Sequence, residues 1–263
     1  MSAWTLKQAE EYLSDTAPPG KSIYGLGRIN HLLEILKKPH EGISAITIVG
    51  TNGKGSVLAF LDSLFTAHGV RVVSHVKPHL ESVTERIRIN GIDSSPDEFA
   101  SALWEVKTAV DRFWERDDSP TYFELIFGSC LVAARKNRAQ LLILEAGLGG
   151  RLDAVNAVDA DMVVLTSVDF DHTELLGDSL REITREKLDV VRNGSVLVCQ
   201  SNPVEVLSTV YKYIENKKIR LLEMPDGTSL LAESDGTLIY RSPELGIIDS
   251  IKPGLAGSYQ LMN

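Results

Sequence analysis

Short apolar runs alternate along this chain with longer segments in which apolar residues recur at helical spacing. The runs cover 46–49, 71–76, 141–144, 162–165, 196–199 and 219–222, and those at 141–144 and 162–165 contain no polar residue. Unbroken runs of this kind are typical of parallel strands that are buried on both faces by helices. The pattern predicts an α/β fold with a parallel sheet flanked by helices.

Helical spacing fills the intervals between these runs. Apolar positions predict helices over 4–14, 32–36, 97–116, 121–137 and 203–217, so that 1–40 forms an N-terminal helical segment. Beyond Met224, Asp226-Gly227 and Asp235-Gly236 separate short apolar stretches, which predicts a small antiparallel sheet over 224–257. Residues 1–263 are interpreted as one domain with this small sheet attached.

Composition excludes several classes of protein. A net charge of −9 on 263 residues argues against a broad nucleic-acid-binding face. No apolar run approaches membrane-spanning length, and the N-terminus lacks the form of a signal peptide. Cys130 and Cys199 are too few for a disulfide framework and lie in apolar surroundings. We therefore expect a cytoplasmic protein without a nucleic-acid or membrane partner.

The run at 46–49 leads directly into Gly50-Thr51-Asn52-Gly53-Lys54-Gly55-Ser56, and a helix that ends at Gly69 follows. A glycine-rich turn at a helix N-terminus presents backbone N–H groups and the positive end of the helix dipole to an anion. Lys54 adds a positive charge and Ser56 a hydroxyl. The sequence predicts a polyphosphate-binding loop, although its spacing departs from the G-x-x-x-x-G-K-[ST] pattern. The alternative is a plain glycine-rich turn.

Polar residues follow two other predicted strands. Glu145 comes after the run at 141–144, and Asp169-Phe170-Asp171-His172 follows the run at 162–165. Ligands of open α/β sheets bind beyond the carboxyl ends of the strands, where Glu145 is well placed to bind Mg²⁺. Taken singly, Glu145 has the alternative interpretation of a solvated loop residue and His172 that of an ordinary polar contact. Lys187, on a later predicted helix, has the default interpretation of a solvated lysine.

Several motifs occur together in a fixed order from about residue 24 to the last residue. They are 50–56, Pro78-His79-Leu80, Glu85-Arg86-Ile87-Arg88-Ile89-Asn90-Gly91, Thr121-Tyr122-Phe123-Glu124, 145–153, Asp171-His172-Thr173, Arg185-Glu186-Lys187 and Pro253-Gly254-Leu255-Ala256-Gly257. By these motifs the chain resembles the Mur ligase superfamily and, within it, the folylpolyglutamate synthase and dihydrofolate synthase family. The fold implied by the resemblance is a P-loop domain of the Mur ligase central type.

The resemblance also implies ATP and Mg²⁺ as cofactors and a set of site residues. Those implied to bind nucleotide are Asn52, Gly53, Lys54, Gly55, Ser56 and Asn263. Those implied to bind Mg²⁺ are Ser56, Glu145, His172 and Lys187, the last as a carbamylated lysine. Those implied to face the pterin substrate are Thr121, Leu152, Asp153 and Ala154, and Lys77 is also predicted to bind substrate. The implied catalytic residues are Lys54, His172 and Lys187.

The reaction implied is ATP-dependent amide formation. A substrate carboxylate attacks the γ-phosphate of ATP, and the amino group of L-glutamate displaces phosphate from the resulting acyl phosphate. The acceptor is dihydropteroate, a folate or both, and the expected state is a monomer. The family's C-terminal ligase domain is not found in these residues, so we expect the 263 residues alone to be inactive.

Lys77 departs from the family, which usually has a serine at this position as a ligand of the first Mg²⁺. An ammonium group has no lone pair and cannot ligate a cation. Two conformations are compatible with the sequence: the ammonium replaces the metal and bonds Glu145, or the side chain bends into solvent. Two other functions also remain open, a non-catalytic nucleotide- or folate-binding module and a P-loop kinase. The motifs after residue 120 speak against the kinase.

Overall fold

The computed structural model describes residues 4–16, 25–116, 118–200, 202–223, 227–233, 236–255, 257 and 260. Its helices within these ranges are α1 (Leu6–Asp15), α2 (Gly27–Ile35), α3 (Lys54–Ala67), α4 (Pro96–Phe113), α5 (Tyr122–Lys136), α6 (Thr173–Leu176), α7 (Leu180–Leu188) and α8 (Val204–Ile214). Its strands are β1 (Ser44–Val49), β2 (Val72–His75), β3 (Ile87–Ile89), β4 (Ile92–Asp93), β5 (Leu141–Glu145), β6 (Met162–Leu165), β7 (Val196–Cys199), β8 (Arg220–Leu222), β9 (Ser229–Ala232), β10 (Leu238–Ser242) and β11 (Gly246–Ile251).

The larger sheet has the strand order β4-β3-β2-β5-β1-β6-β7-β8. Strand β1 pairs in parallel with β5 on one side and β6 on the other, and the pairs β2–β5, β6–β7 and β7–β8 are also parallel. The predicted α/β fold with six parallel strands is therefore confirmed. Strands β3 and β4 extend one edge of the sheet as an antiparallel hairpin. Asn90 and Gly91, both with positive φ, form the turn of this hairpin.

Helices cover both faces of the larger sheet, as the unbroken apolar runs predicted. On one face α4 packs against α5, and α5 is buried along most of its length. On the other face α3 contributes Val57 and Leu58 to a core cluster with Ile46, Ile48 and Val72. Because these contacts hold α3 against β1, the loop that joins the two elements is fixed at both ends.

Side-chain caps determine where two of the helices begin. Thr121 and Glu124 form a reciprocal capping box at the start of α5. At α7, the Ser179 hydroxyl accepts a hydrogen bond from the Glu182 N–H at 3.3 Å. The Glu182 carboxylate accepts from the Asp178 N–H at 3.1 Å. Ser179 and Glu182 therefore cap the start of α7, with the return bond of Glu182 displaced by one residue.

A second, antiparallel sheet has the strand order β11-β10-β9 and confirms the small sheet predicted near the C-terminus. Of the turns predicted there, residues 226 and 235 lie outside the described residues. Cys130 and Cys199 are buried free thiols, as expected. Among the described helices, none combines the length and apolar character needed to cross a bilayer.

Candidate active site

The turn between β1 and α3 adopts a backbone that requires glycine at its first position. Gly50 has φ +147°, and a Cβ there would lie 1.9 Å from Thr166 Oγ1. Gly53 has φ +85° and immediately precedes α3. The Thr51 N–H donates to the Ser167 carbonyl at 2.6 Å, which connects the turn to the segment after β6. The predicted phosphate-binding loop is therefore a fixed structure at a helix N-terminus, where N–H groups favour an anion.

Lys54, the first residue of α3, folds its side chain back over this loop. Its Nζ donates to the Gly50 carbonyl at 3.0 Å and to the Thr51 carbonyl at 2.9 Å. Burial lowers the pKa of Lys54, although the carboxylates of Glu145, Asp171 and Asp153 oppose this effect. Among the described residues, the ammonium therefore donates only to carbonyl oxygens, and it is available to a phosphate.

Glu145 is the last residue of β5 and lies beneath the loop rather than in solvent. It is 4% exposed, and its Oε2 accepts the Lys77 N–H at 3.1 Å. A Cβ on Gly55 would lie 3.8 Å from either carboxylate oxygen, so Glu145 is adjacent to the start of α3. Burial raises the pKa of Glu145, while the Lys77 N–H and the charges of Lys54, Lys77 and Arg86 act against the rise. The alternative interpretation as a solvated loop residue was wrong.

His172 lines the same cavity as Lys54 and Glu145, and its backbone is in a left-handed conformation with φ +47°. Its side chain is 56% exposed, and its Nε2 is 3.5 Å from Asp171 Oδ1. Within the part of the chain that the structure describes, His, Cys, Asp and Glu side chains form no group of three that could hold a metal ion. Glu145 and the Ser56 hydroxyl are nevertheless hard oxygen donors, and Glu145 is adjacent to Gly55, the residue that precedes Ser56. Mg²⁺ commonly completes such a pair with water and phosphate oxygens. These residues fit a single Mg²⁺ at the loop.

Lys187 lies on the buried side of α7 and is only 2% exposed. Its Nζ donates to the Gly50 carbonyl at 2.9 Å, so the amine reaches the phosphate-binding loop from below. Burial lowers the pKa of Lys187 to about 8, and the positive charge of Lys54 acts in the same direction. The default interpretation as a solvated lysine was wrong, because the side chain is part of the interior.

Lys77 adopts neither of the two conformations considered from the sequence. Its Nζ bonds Asp153 Oδ1 at 3.0 Å and Oδ2 at 3.2 Å, and both side chains are largely buried. From Lys77, Glu145 accepts a hydrogen bond only from the backbone N–H. Burial disfavours the charged form of Asp153, but the ammonium and the backbone N–H bonds outweigh it and hold the pKa of Asp153 below its usual value. The ammonium therefore neutralises the Asp153 carboxylate in the loop after β5. It does not occupy a metal position at Glu145.

One cavity of about 590 Å³ brings most of the predicted site together. Its lining includes the predicted residues Lys54, Lys77, Thr121, Glu145, Leu152, Asp153, Ala154 and His172. Lys187 lies behind the loop and not on this surface, and Asn52, Gly53, Gly55 and Ser56 are likewise absent from the described lining. Asn263 lies outside the described residues. The predicted substrate-facing residues thus converge beside the phosphate-binding loop, which the chain order alone does not show.

Known proteins with similar sequences and structures identify the family of this chain. The dihydrofolate synthase/folylpolyglutamate synthase of Bacillus subtilis is 30% identical over 244 residues, which are 91% of this chain and 57% of that protein. The structure of E. coli FolC in complex with DHPP and ADP has 30% identity and a TM-score of 0.81 over 99% of this chain and 60% of that one. The chain belongs to the folylpolyglutamate synthase and dihydrofolate synthase family.

A further solved relative extends the comparison. A bifunctional folylpolyglutamate synthase/dihydrofolate synthase with Mn, AMPPNP and L-glutamate bound has 29% identity and a TM-score of 0.75, over 96% of this chain and 58% of that one. No family model matches the chain. The chain spans somewhat more than half the length of the relatives that it matches.

Two arginines in this member of the family were not singled out from the sequence. Arg28 and Arg86 line the cavity, and both are at most 8% exposed. Arg28 Nε donates to Glu124 at 3.0 Å. Burial lowers the pKa of Arg86, although Tyr122 and Glu145 oppose this effect. Arg86 occurs where ionic and apolar residues alternate, a pattern that marks a strand but does not show which charge lies inside.

Proposed function

We propose that this chain acts in ATP-dependent formation of an amide bond between L-glutamate and a pteroate or folate carboxylate. The observation that carries the proposal is the convergence of Lys54, Glu145 and Asp153 on one cavity beside a phosphate-binding loop. Solved relatives contain ADP, or AMPPNP with Mn and L-glutamate, which supports a nucleotide and a divalent metal here. The acceptor is proposed to be dihydropteroate, a folate or both.

The proposed reaction has two steps. An oxygen of the acceptor carboxylate attacks the γ-phosphorus of ATP, the bond to the β-phosphate oxygen breaks, and ADP leaves. The amino nitrogen of glutamate then attacks the acyl carbon, phosphate leaves, and the nitrogen loses a proton. Lys54 and the loop N–H groups hold the phosphates and offset the negative charge that moves during the first step. A bound Mg²⁺ supplies further charge neutralisation at the phosphate oxygens.

Lys187 is proposed to react with carbon dioxide before catalysis. The neutral amine forms an N–C bond to CO₂ and releases a proton, which converts a buried cation into an anionic carbamate. A pKa near 8 leaves a large neutral fraction of the amine at slightly alkaline pH, and this supports the proposal. A carbamate oxygen, together with Glu145, Ser56 and His172, would supply ligands for Mg²⁺.

The nucleotide part of the proposal is tested by calorimetry with MgATP on the parent chain and Lys54→Ala. Removing the ammonium that faces the phosphates should weaken binding at least tenfold, which is about 1.4 kcal/mol. The exposed Lys7→Ala provides the control for loss of one positive charge elsewhere. Equal affinities of the parent and Lys54→Ala for MgATP would show that the loop does not bind the nucleotide.

A non-catalytic nucleotide- or folate-binding module is the second candidate. It is favoured by one observation, that Lys77, at the position where the family usually has a metal-ligating serine, bonds Asp153 and offers no lone pair to a cation. A Mg²⁺ titration of ATP binding separates the two functions. The ligase requires Mg²⁺ to tighten ATP binding and Glu145→Gln to abolish that effect, whereas ATP affinity independent of Mg²⁺ would favour the binding module.

A further inference from the structure

Arg86 is a buried cation that forms no ion pair with a carboxylate among the described residues, although Glu145 and Glu85 act on its charge from a greater distance. It is 7% exposed, and its Nε donates to His79 Nδ1 at 2.8 Å. No ion pair to Arg86 occurs within the described ranges, whereas the other buried arginine of the cavity, Arg28, pairs with Glu124 at 3.0 Å. A guanidinium that is withdrawn from water without a counter-ion costs free energy. An anionic ligand bound at the Arg86 guanidinium would supply the missing counter-charge.

The backbone of Arg86 is held firmly in place. Its carbonyl accepts hydrogen bonds from the Val76 N–H and from His75 Nδ1, both at 3.1 Å. The preceding loop is ordered by Glu85, whose carboxylate accepts three backbone N–H groups at 2.6–2.8 Å, those of Leu80, Glu81 and Ser82. The guanidinium is therefore positioned before any ligand arrives, which reduces the cost of binding.

The surroundings of Arg86 indicate what kind of anion would fit. Its Cζ lies 5.8 Å from the ring centroid of Phe123 and 6.0 Å from that of Tyr122. Lys54 and Glu145, at the phosphate-binding loop, line the same cavity as Arg86 and Phe123. A ligand that is aromatic on one side and anionic at its end would place the ring against Phe123 and the anion at the guanidinium. The planar fork of arginine matches a carboxylate in particular.

We propose that Arg86 binds the reacting carboxylate of the acceptor substrate and directs one of its oxygens toward the phosphate-binding loop. The assignment rests on the proposed function, because it takes a pteroate-type acid as the acceptor. One carboxylate oxygen is held by the guanidinium while the other remains free to attack. The guanidinium keeps its protons throughout, so Arg86 acts by charge and orientation.

The test compares pteroate with its carboxamide, which has the same shape but no charge. Affinities of both ligands are measured by fluorescence titration for the full chain, Arg86→Met, Arg86→Lys and the control Arg220→Met, whose arginine is exposed on β8. For the parent we expect pteroate to bind at least about tenfold more tightly than the carboxamide, as for a charge-assisted hydrogen bond. Arg86→Met should abolish this ratio, Arg86→Lys should retain part of it, and Arg220→Met should leave it unchanged.

The ratio of the two affinities is measured within each protein, so partial loss of folded material in one variant does not alter it. If Arg86→Met weakens both ligands equally, or keeps the ratio of the parent, Arg86 has a structural role only and the assignment fails alone. If the parent binds MgATP but neither pteroate nor its carboxamide, the proposed acceptor class fails and the assignment fails with it. Thermal unfolding of each variant shows whether its fold is intact.

Discussion

Lys187 places an amine in the interior with a single carbonyl as its hydrogen-bond acceptor. Among the described residues no carboxylate lies within ion-pair distance of it, and its Nζ donates to Gly50 alone. The unfolded chain holds the proton up to about pH 10.5 and the folded chain only up to about pH 8. Between these values the unfolded state binds more protons, so the stability of the fold rises with pH across this interval.

We expect this effect to appear in the comparison of the parent with Lys187→Met. In buffers free of CO₂, the free energy of unfolding of the parent minus that of the variant should increase by about 3 kcal/mol between pH 8 and 10.5. Urea unfolding at a series of pH values measures it. For Lys212→Met, which changes an exposed lysine on α8, the difference in unfolding free energy should not change with pH. A flat difference for Lys187→Met would show that Lys187 does not deprotonate on folding.

The pair of Lys77 and Asp153 joins the segment after β2 to the glycine-rich loop after β5. Asp153 also accepts N–H groups from Gly147 at 2.8 Å and from Leu148 and Val155 at 3.1 Å. Lys77→Met would leave this carboxylate buried without its counter-charge, at a cost of about 3 kcal/mol, the lower end of the usual range because the N–H groups remain. Chemical denaturation measures the loss.

Two controls make that prediction specific. The double variant Lys77→Met with Asp153→Asn removes both charges and should recover much of the lost stability. Lys7→Met breaks the exposed pair of Lys7 and Glu11, with atoms 3.9 Å apart, and should change stability by less than about 0.5 kcal/mol. A double variant as unstable as Lys77→Met would indicate that packing of the lysine stem, and not charge, stabilises the loop.

At the scale of elements, the junction of β1 and α3 depends on one residue that has no side chain. In Gly50→Ala the new methyl group would overlap Thr166 Oγ1 in a backbone conformation that alanine rarely adopts. Gly69→Ala is the matched control, because Gly69 has φ +77° but a Cβ there would meet no other described atom within 4 Å, so it carries strain without overlap. We expect Gly50→Ala to be less stable than Gly69→Ala by about 2 kcal/mol in thermal or urea unfolding. Equal losses would mean that the loop moves aside freely.

The elements of the sheet were predictable because its strands are short, mostly apolar runs, two of which contain no polar residue. The runs at 141–144 and 162–165 became β5 and β6, and the glycine-rich turn became the loop before α3. The hairpin of β3 and β4 was not placed, since an alternating pattern predicts a strand but does not say which edge it joins. Its pairing with β2 depends on contacts that the chain order does not encode locally.

The sequence predicted which residues form the site better than it predicted what those residues contact. Lys187 was interpreted as solvated because it lies in the charged triplet Arg185-Glu186-Lys187, yet it follows the buried Ile183 by four residues and so shares its helix face. That spacing was a usable signal. The contact of Lys77 with Asp153 joins residues 76 apart, and only the register of β2 against β5 brings them together. Sequence patterns over a single element contain no such information.

For the molecule as a whole, the chain matches only part of the length of its relatives, and this fraction bears on catalytic turnover. The chain spans 57% of the Bacillus subtilis relative, and we expect the 263 residues alone to bind MgATP without releasing phosphate in turnover. Phosphate release is measured with ATP, dihydropteroate and L-glutamate present, with Lys54→Ala as the blank. Release that exceeds this blank and requires both other substrates would contradict the expectation.

The phosphate-binding loop and the segment after β6 exchange hydrogen bonds in both directions. Thr51 N–H donates to the Ser167 carbonyl, the Asp169 N–H donates to Thr51 Oγ1 at 3.1 Å, and Thr166 Oγ1 donates to the Asn52 carbonyl at 2.7 Å. The loss of conformational entropy in this loop therefore takes place when the chain folds and not when a ligand arrives. An incoming phosphate therefore meets a loop whose conformation is already set, and its binding does not require the loop to be ordered first.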